Sequence, residues 1–289
     1  MSIPSIRQSA RVMLPILVAG IIIAPISHAQ MGGSRSPATP IQSSTDMQQT
    51  EMHELTDVQR QPGVTVDAKE QKAYDAFFRV SSEDPDKKIL LGNAFLGKYP
   101  KSIFAESVEA GLTDAYYDKQ DWKDFYSAAD KALAIKPDDV DVLASVGWVI
   151  PHFYNPHDDN ADEQLNKAET LEKHAIEVMA TMPKPASLTD AQFASAKAQK
   201  ASQAHSALGL VYFRREDYAN SATELQQVIQ KNANPDQTDL FVLGMDLQNL
   251  DKFADAAEVF ERCGQIAGNL QDRCKQNADM ARKQVAQPK

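Results

Sequence analysis

Cysteine is nearly absent from this chain of 289 residues, which has only Cys263 and Cys274. There is therefore no CxxC redox pair and no cysteine cluster for a structural zinc. Lysines and arginines form no run. A formal charge of -10 and a pI near 5.1 work against nucleic acid or an anionic membrane surface, which both need clustered cations. Alternation of apolar and polar residues never persists beyond about four positions, so strands are not indicated. Catalytic signatures are missing too: no G-x-S-x-G, no phosphate-binding glycine loop, no H-E-x-x-H, and no paired acids beside an apolar cleft. These absences point away from an enzyme, and no cofactor is called for.

A long apolar run occurs once, as VMLPILVAGIIIAPI over Val12 to Ile26, behind Arg7 and Arg11 and ahead of Ser27-His28-Ala29. At 15 residues, broken by Pro15, Gly20 and Pro25, it falls short of the roughly 20 needed to span a bilayer. A basic start, an apolar middle and a small-residue exit are the parts of a secretory signal cleaved after Ala29. The competing reading is an uncleaved anchor. Residues 1–29 are thus expected to be a signal peptide. Residues 30–66, rich in Ser, Thr, Gln, Gly and Pro, are expected to be a disordered leader, because they hold too little apolar surface to offset ordering. The mature chain is expected outside the cytosol, in the periplasm, the cell envelope or secreted, without stable membrane insertion.

What the chain does have, from Asp67 onward, is uninterrupted helical patterning with a period. His205-x-x-Leu208-Gly209-x-x-Tyr212 is followed 35 residues later by Leu240-x-x-Leu243-Gly244-x-x-Leu247, and then by Phe253, Ala256 and Phe260. Upstream, Val146-Gly147-x-x-Ile150 lies 34 residues after Leu112-Thr113-x-x-Tyr116, whose own unit continues through Trp122 and Ala132-Leu133 to Pro137. A period of this size is the signature of stacked helix pairs. A glycine after the leucine removes a side chain where the first helix of a pair crosses the second, and Ala132, Ala175, Ala222 and Ala256 let the second helix come close.

This pattern resembles the tetratricopeptide repeat of exported bacterial proteins. The resemblance implies an all-α fold, a right-handed α-solenoid of antiparallel helix pairs with a concave inner face and a C-terminal capping helix. The repeat domain is expected over residues 67–286, with units at 67–102, 103–138, 139–183, 188–235 and 236–268 and the cap at 269–286. Three positions depart from the family: Phe125 and Ser221 stand where it usually has Ala, and Glu172 where it has an aromatic. The first unit keeps little beyond its closing Lys98-Tyr99-Pro100-Lys101-Ser102. The stretch FLGKYPKSIFAE around it resembles the helix-end turn of repeat proteins of bacterial envelope assembly; Pro100 ends one helix and Ser102 caps the next.

In this fold the functional surface is the concave face, formed by the first helix of each pair. Counting from each Leu-Gly or its equivalent, the outward positions fall at Tyr117, Trp148, Phe213, Arg214, Phe241, Met245 and Asn249. Such a set suits an extended or helical peptide. The competing reading has the insertion at 182–204 fold over these side chains and bury them as core. Within it, Ser187 or Thr189 is expected to cap an Ala-rich extension of the next first helix. The lysine and asparagine pairs with which chaperone-binding family members clamp a peptide carboxylate are absent. Their places hold Ala110 with Asp114 and Ser206 with Leu210.

Two further features carry chemistry. In WVIPHFYNPHDDNADEQL, the side chains of His152, His157, Asp158, Asp159 and Asp162 lie in an insertion and offer ligands for a divalent metal. The plainer account has Pro151 and Pro156 ending a helix and Asp158 to Asp162 supplying the cap and first-turn acids of the next. Cys263 and Cys274, an even number in an exported chain, suit a disulfide between the last repeat and the cap, with two buried thiols as the alternative. The functional expectation is a non-enzymatic scaffold of the periplasm or cell envelope that binds a protein or peptide. The alternative from another class is an exported metal-binding or metal-dependent protein using the loop from His152 to Asp162.

Overall fold

The computed structural model describes residues 66–286 except positions 187 and 233. The expected signal peptide, nearly all of the leader, and Ser187 as a cap lie outside the described residues. Eleven helices and no strand occur among the described residues: α1 (Ala68–Phe78), α2 (Pro85–Lys98), α3 (Ala105–Lys119), α4 (Trp122–Ile135), α5 (Val140–His152), α6 (Ala161–Thr181), α7 (Asp190–Arg214), α8 (Tyr218–Lys231), α9 (Gln237–Asn249), α10 (Phe253–Gln265) and α11 (Gln271–Ala286). Their starts are set locally. Asp84, Asp121, Asp139, Asp217 and Asp236 each accept a backbone N–H two or three residues on, as N-caps of α2, α4, α5, α8 and α9. Thr189 and Gln192 form a reciprocal capping box on α7.

Helices α1/α2, α3/α4, α5/α6, α7/α8 and α9/α10 pack as pairs, and α11 closes the array against α10. Each first helix (α1, α3, α5, α7, α9) also touches the next first helix, whereas a second helix packs on the following first helix and makes no comparable contact with the next second helix. First helices therefore form the tight inner layer and second helices the splayed outer one, which makes an α-solenoid with its concave side on the first helices. Three tight corners, α3 to α4, α7 to α8 and α9 to α10, use the left-handed residues Gln120, Glu216 and Asp251, with φ of 56°, 60° and 56°.

Close crossing within pairs has a visible cause. A Cβ on Gly147, Gly209 or Gly244 would lie 2.5 Å from Glu172, 2.6 Å from Leu225 and 2.6 Å from Phe260 respectively. Ala132, Ala175, Ala222 and Ala256 are buried on the facing helices. The first pair, so weakly marked in sequence, combines a crossing glycine with aromatic packing: a Cβ on Gly92 of α2 would lie 2.9 Å from the Phe77 ring, and Tyr74 stacks on Phe104 at 4.2 Å with Phe95 buried beside them. Ser102, expected to cap α3, accepts only from the Phe104 N–H ahead of it; Phe104 holds the N-cap position and its side chain makes no capping bond.

Some local expectations are corrected. Pro151 does not terminate α5 but lies inside it, one residue before its end; near a helix C-terminus its ring disturbs little that follows. Asn160, not an aspartate, holds the N-cap position of α6, and its side chain makes no capping bond. The longest elements are α6, with 21 residues, and α7, with 25. Relative to the glycine each carries, α7 begins 209 - 190 = 19 residues upstream and α5 only 147 - 140 = 7. The extra 12 residues project about 18 Å past the start of α5. The C-terminal half of α6 runs beside this extension, with Ala175, Met179 and Ala204 buried between them.

Candidate functional site

The inner layer presents the last turns of successive first helices side by side. Tyr117 of α3 meets Trp148 of α5 edge-on at 6.1 Å, and is backed by Trp122 at 6.0 Å and Phe125 at 6.3 Å. Trp148 stacks on His152 at 3.7 Å, one turn later on the same helix. His152 Nδ1 lies 2.7 Å from the Trp148 carbonyl oxygen. Only an N–H can donate to that oxygen, so the proton sits on Nδ1 and Nε2 is an acceptor. Burial and the nearby Arg214 charge push the imidazole down to about 4, against the weaker pull of the Trp148 bond. His152 is therefore neutral throughout the physiological range.

Arg214, in the last turn of α7, reaches the same place. Its Nε donates to the Pro151 carbonyl at 3.2 Å and its guanidinium lies 5.8 Å from the Tyr154 ring centre. Tyr117, Trp148, His152 and Arg214 thus join three helix pairs in one half-buried strip. A planar cation beside aromatic faces offers both stacking area and free donors.

The remaining expected residues lie apart from this strip. Phe213 packs on Tyr218 at 6.1 Å. Phe241 turns toward Phe260 of α10 at 5.9 Å and is overlaid by Arg273 of the cap at 4.9 Å. Met245 is half-buried in the same core. Asn249 is exposed and returns its Nδ2 to the Met245 carbonyl. The α7 extension lies over the opposite rim, where Lys200 pairs with Asp141 at the start of α5.

A polar pocket away from the strip includes Ala110 and Asp114, the places of the missing clamp, together with Asp141 at the start of α5. Lys88 of α2 runs its stem across Gly111, where a Cβ would lie 3.3 Å from the lysine Cε, and sets its ammonium 5.2 Å from the Phe77 ring. Phe78, Ser107 and Asp114 complete the lining. Asp114 is exposed at the mouth of this pocket. No spacing in the chain announces Lys88, because its head arrives from a second helix.

The proposed metal ligands are not gathered. His152 is occupied by Trp148, while His157 and Asp158 sit exposed in the loop, tied to Asn155 through the His157 N–H and Asp158 Oδ1. No group of three or more His, Cys, Asp or Glu side chains able to hold a metal occurs among the described residues. Cys263 and Cys274 are both fully buried, with Cα atoms 5.7 Å apart across α10 and α11. No described helix is long and apolar enough to cross a membrane.

No protein-family model and no curated protein matches the chain. Among solved structures, the chain is similar to a thermophilic TPR protein of Thermus thermophilus, with 12% identity, 74% of this chain and 99% of that chain covered, and a TM-score of 0.46.

Proposed function

We propose that the chain is a non-enzymatic interaction scaffold of the tetratricopeptide type, exported to the periplasm or cell envelope, that receives a protein or peptide along its concave face. The observation that carries this reading is the strip of Tyr117, Trp148, His152 and Arg214, in which side chains from three successive first helices meet on the inner layer and stay half-buried while packing on the core beneath. Partly exposed aromatic rings with a planar cation are the composition of binding hot spots. Support for export comes from the signal-like first 29 residues. In that compartment Cys263 and Cys274 form a disulfide, since their Cα separation is within the range a disulfide bridges.

Purified chain beginning at Gln30, produced in an oxidising compartment, is crosslinked to envelope and exported proteins beside a Trp148→Ala variant whose helicity is checked by circular dichroism. Partners captured by the parent and lost by the folded variant are the expected outcome. Capture that survives both Trp148→Ala and Tyr117→Ala would remove the strip from any role in binding.

A further inference from the structure

The fifth pair is seated on the fourth through α9, and two Ser–Asp hydrogen bonds cross that seam beside an apolar core shared by Leu210, Leu225, Leu240 and Leu243. Ser206 Oγ of α7 donates to Asp239 Oδ1 at 2.5 Å, and Ser221 Oγ of α8 donates to Asp246 Oδ2 at 2.6 Å. Ser221 and Asp246 are completely shielded from solvent and Asp239 is 8% exposed. Asp246 Oδ1 is buried with no hydrogen-bond partner. The groups facing these carboxyls do not compensate them. Asp236, the N-cap of α9, faces Asp239; Asp217, the N-cap of α8, and Tyr218 face Asp246. Nearby cations are committed elsewhere: Arg214 to the Pro151 carbonyl, Arg215 to Glu169 and Asn166, and Arg273 over Phe241. His205 of α7 is bound to Glu224 of α8.

We propose that the seam between the fourth pair and α9 is a pH-operated joint: while Asp239 and Asp246 are protonated, the two Ser–Asp contacts hold the α9–α11 end against the rest of the solenoid, and their ionisation loosens it. Two carboxylates without a counter-ion are not stable in a desolvated seam. Hydrating them requires α9 to move off α7 and α8. Burial raises Asp239 to about 7 and Asp246 to about 8; the serine bonds oppose part of this, and the neighbouring aspartates add to it. Phe260, Cys263, Cys274 and Ala278 brace the α9–α11 end from within, and the same core runs across the seam to Leu210, Leu225 and Ile229, so ionisation loosens this end without detaching it. Since α9 contributes to the inner layer, loosening changes the angle at which the fifth pair meets the concave face. The device belongs to the fold and stands whether or not the partner reading does.

Hydrogen exchange of the full oxidised chain, resolved by peptide and corrected for the intrinsic pH dependence, is compared at pH 6 and pH 9. Protection over α9–α11 is expected to fall more than about tenfold relative to α1 and α2, which hold no buried acid, as the two carboxyls ionise. The double variant Asp239→Asn, Asp246→Asn is expected to abolish the difference, whereas Glu172→Gln, in the third pair, is expected to keep it. Equal loss of protection along the whole wild-type chain overturns the joint, and so does a pH response that persists in the double variant. The segment-by-segment comparison in the wild type needs no substitution, so a variant that fails to fold does not rescue the proposal.

Discussion

At the scale of single residues, the crossing glycines and the buried acids dominate the energetics. Gly244→Ala places a methyl group 2.6 Å from the fully buried ring of Phe260. It is expected to lower stability by about 1–3 kcal/mol in urea unfolding, because neither helix has room to yield. Glu172 is the opposite case. Its two carboxyl oxygens are buried without partners under Gly147, and burial lifts it well above its ordinary 4.5. A carboxyl held higher in the folded than in the unfolded chain adds stability fully below the unfolded value, and this is lost as pH rises toward the folded value. Glu172→Met is expected to raise stability at pH 8 by roughly 1–3 kcal/mol and to flatten the fall in stability above pH 4.5, as read from unfolding midpoints across pH. The departure from the family pattern at residue 172 was visible in the sequence. That it would be a buried acid without a partner was not, since partners depend on which helix lies opposite.

Among the elements, the extended hairpin of α6 and α7 depends most on its local signals. Thr189 and Gln192 close a reciprocal box on α7, and the turns that follow are largely exposed. Thr189→Ala is expected to cost about 1 kcal/mol, and hydrogen exchange should show the loosening confined to residues 190–203, because Ala204 onward is locked in the core. Composition alone marked this helix and its cap, since alanine-rich sequence behaves the same in any surroundings. The first pair was poorly marked because its crossing glycine, Gly92, comes from the second helix and meets Phe77, and the ring stacking of Tyr74, Phe95 and Phe104 around it has no fixed spacing. The strip was legible as a row of outward positions in Tyr117, Trp148 and Arg214. The sequence did not show that Phe241 would be overlaid by the cap, because Arg273 comes from a helix outside the repeat frame.

For the whole molecule, stability is a sum of contacts between neighbours, so the ends are the weak points. Joining Cys263 to Cys274 closes a short loop and restricts the unfolded chain at the C-terminal end, by about 3 kcal/mol on the chain-entropy view. The double variant Cys263→Ser, Cys274→Ser is expected to unfold earlier and to lose protection in α10 and α11 first; indistinguishable melts of the two proteins would show that the thiols are unpaired. The all-helical, pairwise-stacked character of the fold followed from the 34- and 35-residue registers, because a repeating crossing residue leaves only one way to pack successive pairs. The pocket at Lys88 and the seam at Asp239 and Asp246 join side chains of different pairs, and nothing in the repeat frame encodes such meetings.

The two rims of the inner face are chemically unlike. Rings and a guanidinium gather at the finishing turns of α3, α5 and α7, whereas the opposite rim carries the alanine-rich extension of α7 standing about 18 Å proud of its neighbour. A chain lying across these helices would have one flank against flat π-surfaces and the other against alanines interspersed with Gln192, Lys197 and Lys200. Reversing the chain would exchange the two flanks, so under the proposed function the groove would favour one direction of a polypeptide running through it.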